Sequence, residues 1–206
     1  MSKKATVRRK YRFVEGDTKI IQRGLKIVIL HRLQAMRTFG SIKRGQLGGY
    51  IQHLGNLSQK GACWVYPEAI VYDEAEIKDD ALIYGNAEIY GFAEVYNNAK
   101  VYGSAKVSEF AEVFKTARIY GNAHIFNYGK VYGNAEIYDD AEVYDSGEVF
   151  GYAKVYDCAN VYEYAEIYGE AEILDDGEVC GDAKIYGNFI VDNNTVISEG
   201  NHHIRK

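Results

Sequence analysis

Three aspartates recur at intervals of eighteen residues: Asp139, Asp157 and Asp175, with Asp140 and Asp176 following two of them. If the fold places them in one column, their carboxylate oxygens offer ligands to a hard cation such as calcium. Like charges also repel, and an acidic column on a surface is ordinarily solvated. We therefore favour a solvated acidic edge, with a calcium site as the alternative, and expect no cofactor.

Aromatic residues recur at the same interval elsewhere: Phe92, Phe110, Tyr128 and Tyr164, with Ser146 between the last two. Most equivalent positions of the chain carry polar turn residues instead. An aromatic side chain at a convex turn is poorly buried by its own chain, and exposed apolar patches often mark contact sites. These four residues and the three aspartates are our predicted contact residues for a protein partner or a second subunit.

Acid–base catalysis would need a histidine with access to a substrate. Only one of the five histidines, His124, lies in the repetitive part of the chain, and the residues eighteen positions away from it are Lys106 and Glu142. This arrangement is typical of a charged column on a surface. Because no insertion frames a pocket beside it, we predict no catalytic residue and a non-enzymatic protein.

The cysteines are odd in number and have no paired spacing: Cys63, Cys158 and Cys180. This pattern argues against a disulfide framework or a zinc site and favours a reducing compartment. No apolar run in the sequence has the length of a signal peptide core or a membrane span. We therefore expect a cytoplasmic protein without membrane contact.

These residues belong to a repeat of six. From Cys63 to Ala183 every sixth residue is Ala, Gly or Cys, and Val or Ile always follows two positions later. The register continues without insertion to Thr195, which makes 23 hexads. Because side chains alternate across a strand, the small and the aliphatic residue share one face, and the Gly, Asn or Asp that follows supplies a turn.

A strand this short buries its apolar face only when successive turns of the chain stack on one another. We therefore predict an all-β fold, a single-stranded parallel β-helix with three hexads per coil. Its 23 hexads would give roughly 7 to 8 coils and a length of about 37 Å. The outward aromatic positions would then form three stacked ladders, which stabilise a sheet. They are Tyr66, Tyr84, Tyr102, Tyr120, Tyr138, Tyr156; Tyr72, Tyr90, Ser108, Phe126, Tyr144, Tyr162; and Tyr96, Phe114, Tyr132, Phe150, Tyr168, Tyr186.

Hexads such as Val131-Tyr132-Gly133-Asn134-Ala135-Glu136 and the segment Ile89-Tyr90-Gly91 resemble the left-handed β-helix hexapeptide-repeat superfamily. The resemblance covers about two thirds of the chain and implies a triangular, left-handed coil. The hand is implied by the resemblance alone, because parallel crossovers are ordinarily right-handed. Many members are trimeric acyl- or acetyltransferases, which makes that activity the alternative to a non-enzymatic role.

The segment before the repeats is similar to the head of bacterial and phage proteins that carry the same repeat, some of them described as acyltransferases. A phage or prophage origin, and action in the host cytoplasm, follow as implications of this similarity. The matching residues are Arg32, Ala35, Phe39, Lys43, Gly45, Gly48-Gly49-Tyr50-Ile51, Asn56-Leu57-Ser58-Gln59, Gly61 and Cys63-Trp64-Val65-Tyr66.

We predict three regions: a basic N-terminal β cap in residues 1–62, the β-helix in 63–197, and a tail in 198–206 that is frayed or folded over the last coil. Alternation on both sides of Arg23-Gly24 predicts a hairpin in the cap. The repeat pattern is broken near its end by Phe189, Ile190 and Val196, in the way that a closing coil or a dimer contact requires.

A basic cluster near the N-terminus, interleaved with Tyr11 and Phe13, leaves nucleic-acid binding as a weaker alternative. Its members are Lys3, Lys4, Arg8, Arg9, Lys10 and Arg12.

The net charge of −5 conceals a division, because residues 1–62 carry +12 and residues 63–206 carry −17. Such polarity favours an acidic partner for the head and a basic one for the body, or attraction between the two within one molecule. The acidic rod would also allow DNA mimicry, in which it occupies and inhibits a DNA-binding enzyme. Our prediction is a scaffold that presents acidic and aromatic faces to a protein partner, as a monomer or as a homo-oligomer, a dimer or trimer.

Overall fold

Each hexad forms one very short strand followed by a turn in the computed structural model, which describes residues 9–204. In the strand Glu136–Ile137, for example, Ile137 and the preceding Ala135 are fully buried. Asp139 then takes a backbone φ of 55°, the left-handed region that Gly, Asn and Asp tolerate best. The predicted interior of small and aliphatic residues is confirmed.

Successive coils stack in parallel, with partner residues eighteen positions apart, as in Glu136 and Lys154. The strands form three sheets, and each coil contributes one strand to each sheet. Sheet 1 contains β1 (Tyr11–Arg23), β2 (Lys26–Ala35), β3 (Leu47–Ile51), Ile70–Val71, Glu88–Ile89, Lys106–Val107, His124–Ile125, Glu142–Val143, Asn160–Val161, Glu178–Val179 and Val196–Ile197. Sheet 2 contains Trp64–Val65, Leu82–Ile83, Lys100–Val101, Arg118–Ile119, Glu136–Ile137, Lys154–Val155, Glu172–Ile173 and Ile190–Val191. Sheet 3 contains Glu76–Ile77, Glu94–Val95, Glu112–Val113, Lys130–Val131, Glu148–Val149, Glu166–Ile167, Lys184–Gly187 and Asn201–Ile204.

The β-solenoid has about nine turns, more than the hexads alone predict. Coiling begins before the first hexad, because β3 pairs in parallel with Ile70–Val71 and Leu57 forms a parallel bridge with Ile77. It also continues after the last hexad, where Asn201–Ile204 pairs with Lys184–Gly187. The tail is therefore a strand of sheet 3 as far as Ile204, and not a frayed end. The left hand and the triangular cross-section stay predictions.

Lys10 and Tyr11 lie inside the cap over the first coil, where both are fully buried. The Lys10 ammonium donates to the carbonyl oxygens of Cys63 at 3.0 Å and Lys60 at 3.2 Å. The Tyr11 hydroxyl lies 2.6 Å from the carbonyl oxygen of Leu57. Two members of the basic and aromatic cluster that left nucleic-acid binding as a weaker alternative are thus enclosed in the cap and do not lie on the surface. Lys3, Lys4 and Arg8 of that cluster lie outside the described residues.

The predicted hairpin is confirmed as β1 and β2, in which Arg23 pairs with Lys26 across a two-residue turn. One face of the hairpin packs against the outer surface of the first coils, where Val28 and Leu30 form a buried cluster with Ile70 and Tyr72. At its tip, basic side chains meet acids of the first coils, in the pairs Arg23–Glu88 and Lys26–Asp73. The head and the body thus attract each other within one chain, one of the two outcomes that the division of charge predicts.

Among residues 9–204 the helical structure is a single 3₁₀ turn, Leu54–Asn56. That part of the chain therefore contains no helix with the length and apolar character needed to cross a membrane.

Candidate interaction site

The four predicted aromatic contact residues lie in one column, at the turn between sheet 1 and sheet 3, which we call the aromatic corner. Phe92 stacks on Phe110 with ring centroids 5.0 Å apart, and Phe110 stacks on Tyr128 at 5.1 Å. Their side chains remain 56%, 46% and 57% exposed, and Tyr164 is 69% exposed. Stacking on a regular backbone orders the rings, while their position at a turn leaves them open to solvent. A preordered, exposed apolar surface of this kind is suited to binding.

The column is interrupted at Ser146, which leaves a gap between the rings of Tyr128 and Tyr164. A cleft of about 450 Å³ opens there. It is lined by Asn127, Tyr128, Asp145, Ser146, Glu163 and Tyr164. Two aromatic side chains and two carboxylates therefore converge on one small space, which we call the tyrosine cleft.

The two carboxylates of the tyrosine cleft are only partly engaged by the protein. Asp145 Oδ1 accepts a hydrogen bond from the Asn127 side chain at 2.9 Å, and Glu163 Oε2 accepts one from the Gly181 amide at 2.6 Å. Neither carboxylate takes part in an ion pair with another described residue. The turn residues of this corner, from 73–74 to 181–182 in steps of eighteen, include no Lys or Arg. The turns of this corner therefore supply carboxylates and no basic side chain, although Lys26 of the hairpin pairs with Asp73 at its start.

The three predicted acidic contact residues lie at a different corner, between sheet 2 and sheet 1. Asp157 Oδ2 accepts a hydrogen bond from the Asp175 amide at 3.2 Å. Asp175 Oδ2 likewise accepts a hydrogen bond from the Asn193 amide, at 3.4 Å. These carboxylates thus help to join successive coils, and the fold does not bring Asp139, Asp157 or Asp175 together with the aromatic corner. Among the described residues no three His, Cys, Asp or Glu side chains form a group that could hold a metal ion.

The outward ladders are confirmed as stacked columns, except that Tyr66 meets Tyr84 edge to face and that the second ladder is interrupted at Ser108. Centroid distances of 4.7 to 5.0 Å recur along the ladder from Tyr84 to Tyr156 and along that from Tyr96 to Tyr186. The sequence pattern did not reveal a second link, in which a tyrosine hydroxyl donates to a glutamate sixteen residues later, as from Tyr96 to Glu112 at 3.1 Å. Burial and this hydrogen bond raise the pKa of Tyr96 to about 12, so the hydroxyl stays protonated and able to donate. Both the ring stacking and the hydrogen bonds to glutamate therefore give the ladders a structural role.

His124 contacts Ser108, the non-aromatic member of the ladder from Tyr72 to Tyr162. Its Nε2 lies 2.9 Å from the hydroxyl of Ser108, which is almost fully buried. Burial, with smaller contributions from Lys106 and Arg23, lowers the pKa of His124 to about 4. The imidazole is therefore neutral at pH 7 and serves as a hydrogen-bond partner. A serine in an otherwise aromatic column was the available signal for this pair.

Comparison with known proteins adds no assignment for this site. A scan against protein-family models finds no match to the chain, and a search of curated proteins finds none either. The fold and the site geometry are therefore the basis for any functional proposal.

Proposed function

We propose that this protein is a non-enzymatic β-solenoid scaffold that binds a protein partner through the aromatic corner. The observation that supports this proposal is the stack of Phe92, Phe110 and Tyr128, whose rings are ordered yet about half exposed. Large aromatic side chains on a rigid support are favoured anchors of interfaces, because they bury much area for little loss of side-chain entropy.

Two other functions have less support. Acyl transfer would need a base free to take up a proton near pH 7, whereas His124 is partly buried, bonded to Ser108 and has a lowered pKa. DNA mimicry would need an uninterrupted acidic surface, whereas bases on the outer faces neutralise their neighbours, as in the pairs Lys154–Glu172 and Lys184–Glu166. A phage origin, which the resemblance of the head implies, is compatible with a scaffold that engages a host protein.

The experiment compares two double variants that add the same negative charge to the same coils. Phe92→Asp with Phe110→Asp alters the aromatic corner, whereas Asn86→Asp with Ser104→Asp alters exposed turn residues at the corner between sheets 2 and 1. Immobilised wild-type protein and both variants are used to capture proteins from the native host, with light scattering of each pure protein as a measure of self-association.

We expect a partner, or a second subunit, to be lost from the aromatic variant and retained by the control. Two introduced carboxylates at the centre of a contact would reduce affinity by about 100-fold or more. Equal binding by both variants, with unchanged mass in light scattering, would overturn the proposal. Circular dichroism spectra that superimpose on that of the wild type establish that both variants are folded.

A further inference from the structure

We propose that the tyrosine cleft is a binding site for a guanidinium group, and that the partner presents an arginine side chain there. This inference rests on the proposed function and names the chemical group that the aromatic corner recognises. It assigns separate roles to the two parts of that corner: the continuous stack provides apolar area, and the cleft provides specificity for a planar cation.

The spacing of the two rings fits one planar group. Tyr128 and Tyr164 are two coils apart, about 9.6 Å at the usual spacing of strands. A planar group in van der Waals contact with both rings needs about 7 to 8 Å between their planes. Both side chains are more than half exposed and have only Ser146 between them. A small tilt of each ring would therefore bring both rings into contact with the bound group.

The charges around the cleft select a cation. Asp145 and Glu163 each use one carboxylate oxygen for a hydrogen bond within the protein and have no ion-pair partner among the described residues. Ring faces attract cations, and a guanidinium can stack on an aromatic ring while its N–H groups donate to carboxylates. A nucleic acid, whose bases also stack between rings, would place phosphates beside these two acids and be repelled.

The protein binds one of its own arginines with the same set of groups. The guanidinium of Arg23 lies 4.2 Å above the Tyr90 ring centroid and donates to Glu88 at 3.0 Å. It also contacts the hydroxyl of Tyr72. Two tyrosines from successive coils and one carboxylate therefore suffice to hold a guanidinium on this solenoid. The tyrosine cleft offers two ring faces and two carboxylates.

The probe is the tripeptide Gly-Arg-Gly with blocked ends, titrated into isotopically labelled protein and followed by NMR. Its control is Gly-citrulline-Gly, which has nearly the same shape but no charge. We expect saturable shifts of the Tyr128, Ser146 and Tyr164 signals with the arginine peptide and none with the citrulline peptide. Shifts spread over all acidic turns, or equal effects of both peptides, would overturn the assignment.

Two variants test the cleft itself. Ser146→Tyr completes the aromatic column and fills the space, so it should weaken arginine binding by about tenfold or more while the protein stays folded, because tyrosine already occupies the positions eighteen residues away on both sides. Asp145→Asn with Glu163→Gln should weaken binding several-fold, whereas Asp157→Asn with Asp175→Asn, at the other corner, should not. Unchanged affinity in Ser146→Tyr would refute the proposal, and so would binding of a short single-stranded oligonucleotide in place of the arginine peptide.

Failure here is distinguishable from failure of the proposed function. Wild-type protein that captures its partner yet does not bind the arginine peptide would contradict only the cleft, because the stack of Phe92 and Phe110 would still account for the captured partner. Loss of the partner in the Phe92/Phe110 variant, without any effect on the peptide, supports both sites as separate parts of one surface.

Discussion

The guanidinium of Arg23 lies 4.2 Å above the ring centroid of Tyr90, although the two residues are 67 positions apart in the chain. This contact and the Arg23–Glu88 ion pair hold the tip of the β1–β2 hairpin against the outer face of sheet 1. The hairpin therefore closes the start of the solenoid by electrostatic as well as apolar contacts, and its arginine shows how the stacked tyrosines receive a cation.

Substitution of Arg23 should loosen the hairpin. Arg23→Ala removes a cation–π contact and a partly exposed ion pair, which together contribute about 1 to 2 kcal/mol. Urea denaturation should show this loss, and hydrogen exchange should speed up at the hairpin tip. Arg12→Ala is the matched control, since Arg12 is exposed and its guanidinium donates to the exposed side chain of Gln34; an equal loss in both variants would contradict the role of Arg23.

Substitution of an inward alanine should prevent folding. Ala135→Asp places an unpaired carboxylate in the fully buried interior between coils, with an expected loss of more than about 4 kcal/mol. Circular dichroism and thermal melting measure the effect. The neighbouring Asn134→Asp variant, which adds the same charge at an exposed turn, should melt within a few degrees of the wild type. A folded, stable Ala135→Asp protein would contradict the sealed interior.

The cap should depend on the hydroxyl of Tyr11. Tyr11→Phe leaves the ring against Trp64 but removes the donor to the Leu57 carbonyl, so we expect a loss of about 1 to 2 kcal/mol in the free energy of unfolding. Tyr152→Phe, at an exposed position, should have no measurable effect. Chemical denaturation of both variants distinguishes a buried hydrogen bond from a general effect of losing a hydroxyl.

His124 should make the protein sensitive to acid. Its pKa is lowered from 6.5 to about 4 by burial in the folded state, so between these values the unfolded chain binds more protons and stability falls as the pH falls. The contribution of neutral His124 to the free energy of unfolding is fully present above pH 6.5. His124→Asn, which copies Asn160 in the same column, should lose less stability than the wild type between pH 7 and 4.5, as measured by thermal melting. Parallel pH profiles for the two proteins would show that His124 is not the titrating group.

The architecture of the repetitive part of this protein can be read from its residue pattern. An inward Ala135 and Ile137, an outward Tyr138 and a turn at Asp139 follow from the period of two in a strand and the period of six in the chain. Stacking at eighteen residues follows from three such strands per coil, so the ladders and both columns at the corners could be read from spacing alone. The reason is that the stacking contacts of the repeats all span eighteen residues and recur from coil to coil.

The position of the non-repetitive head and the role of each break in the aromatic columns become visible in the three-dimensional fold. Lys10 looks like a solvent-exposed base in the sequence, yet the carbonyl oxygens of Lys60 and Cys63 satisfy its ammonium group inside the cap. Ser108 and Ser146 look alike as gaps in aromatic columns, but the first is filled by His124 at a strand face and the second stays open at a turn. The position of Lys10 depends on contacts with residues 50 and 53 positions away, outside any repeat, and the state of each gap depends on the space that neighbouring coils leave.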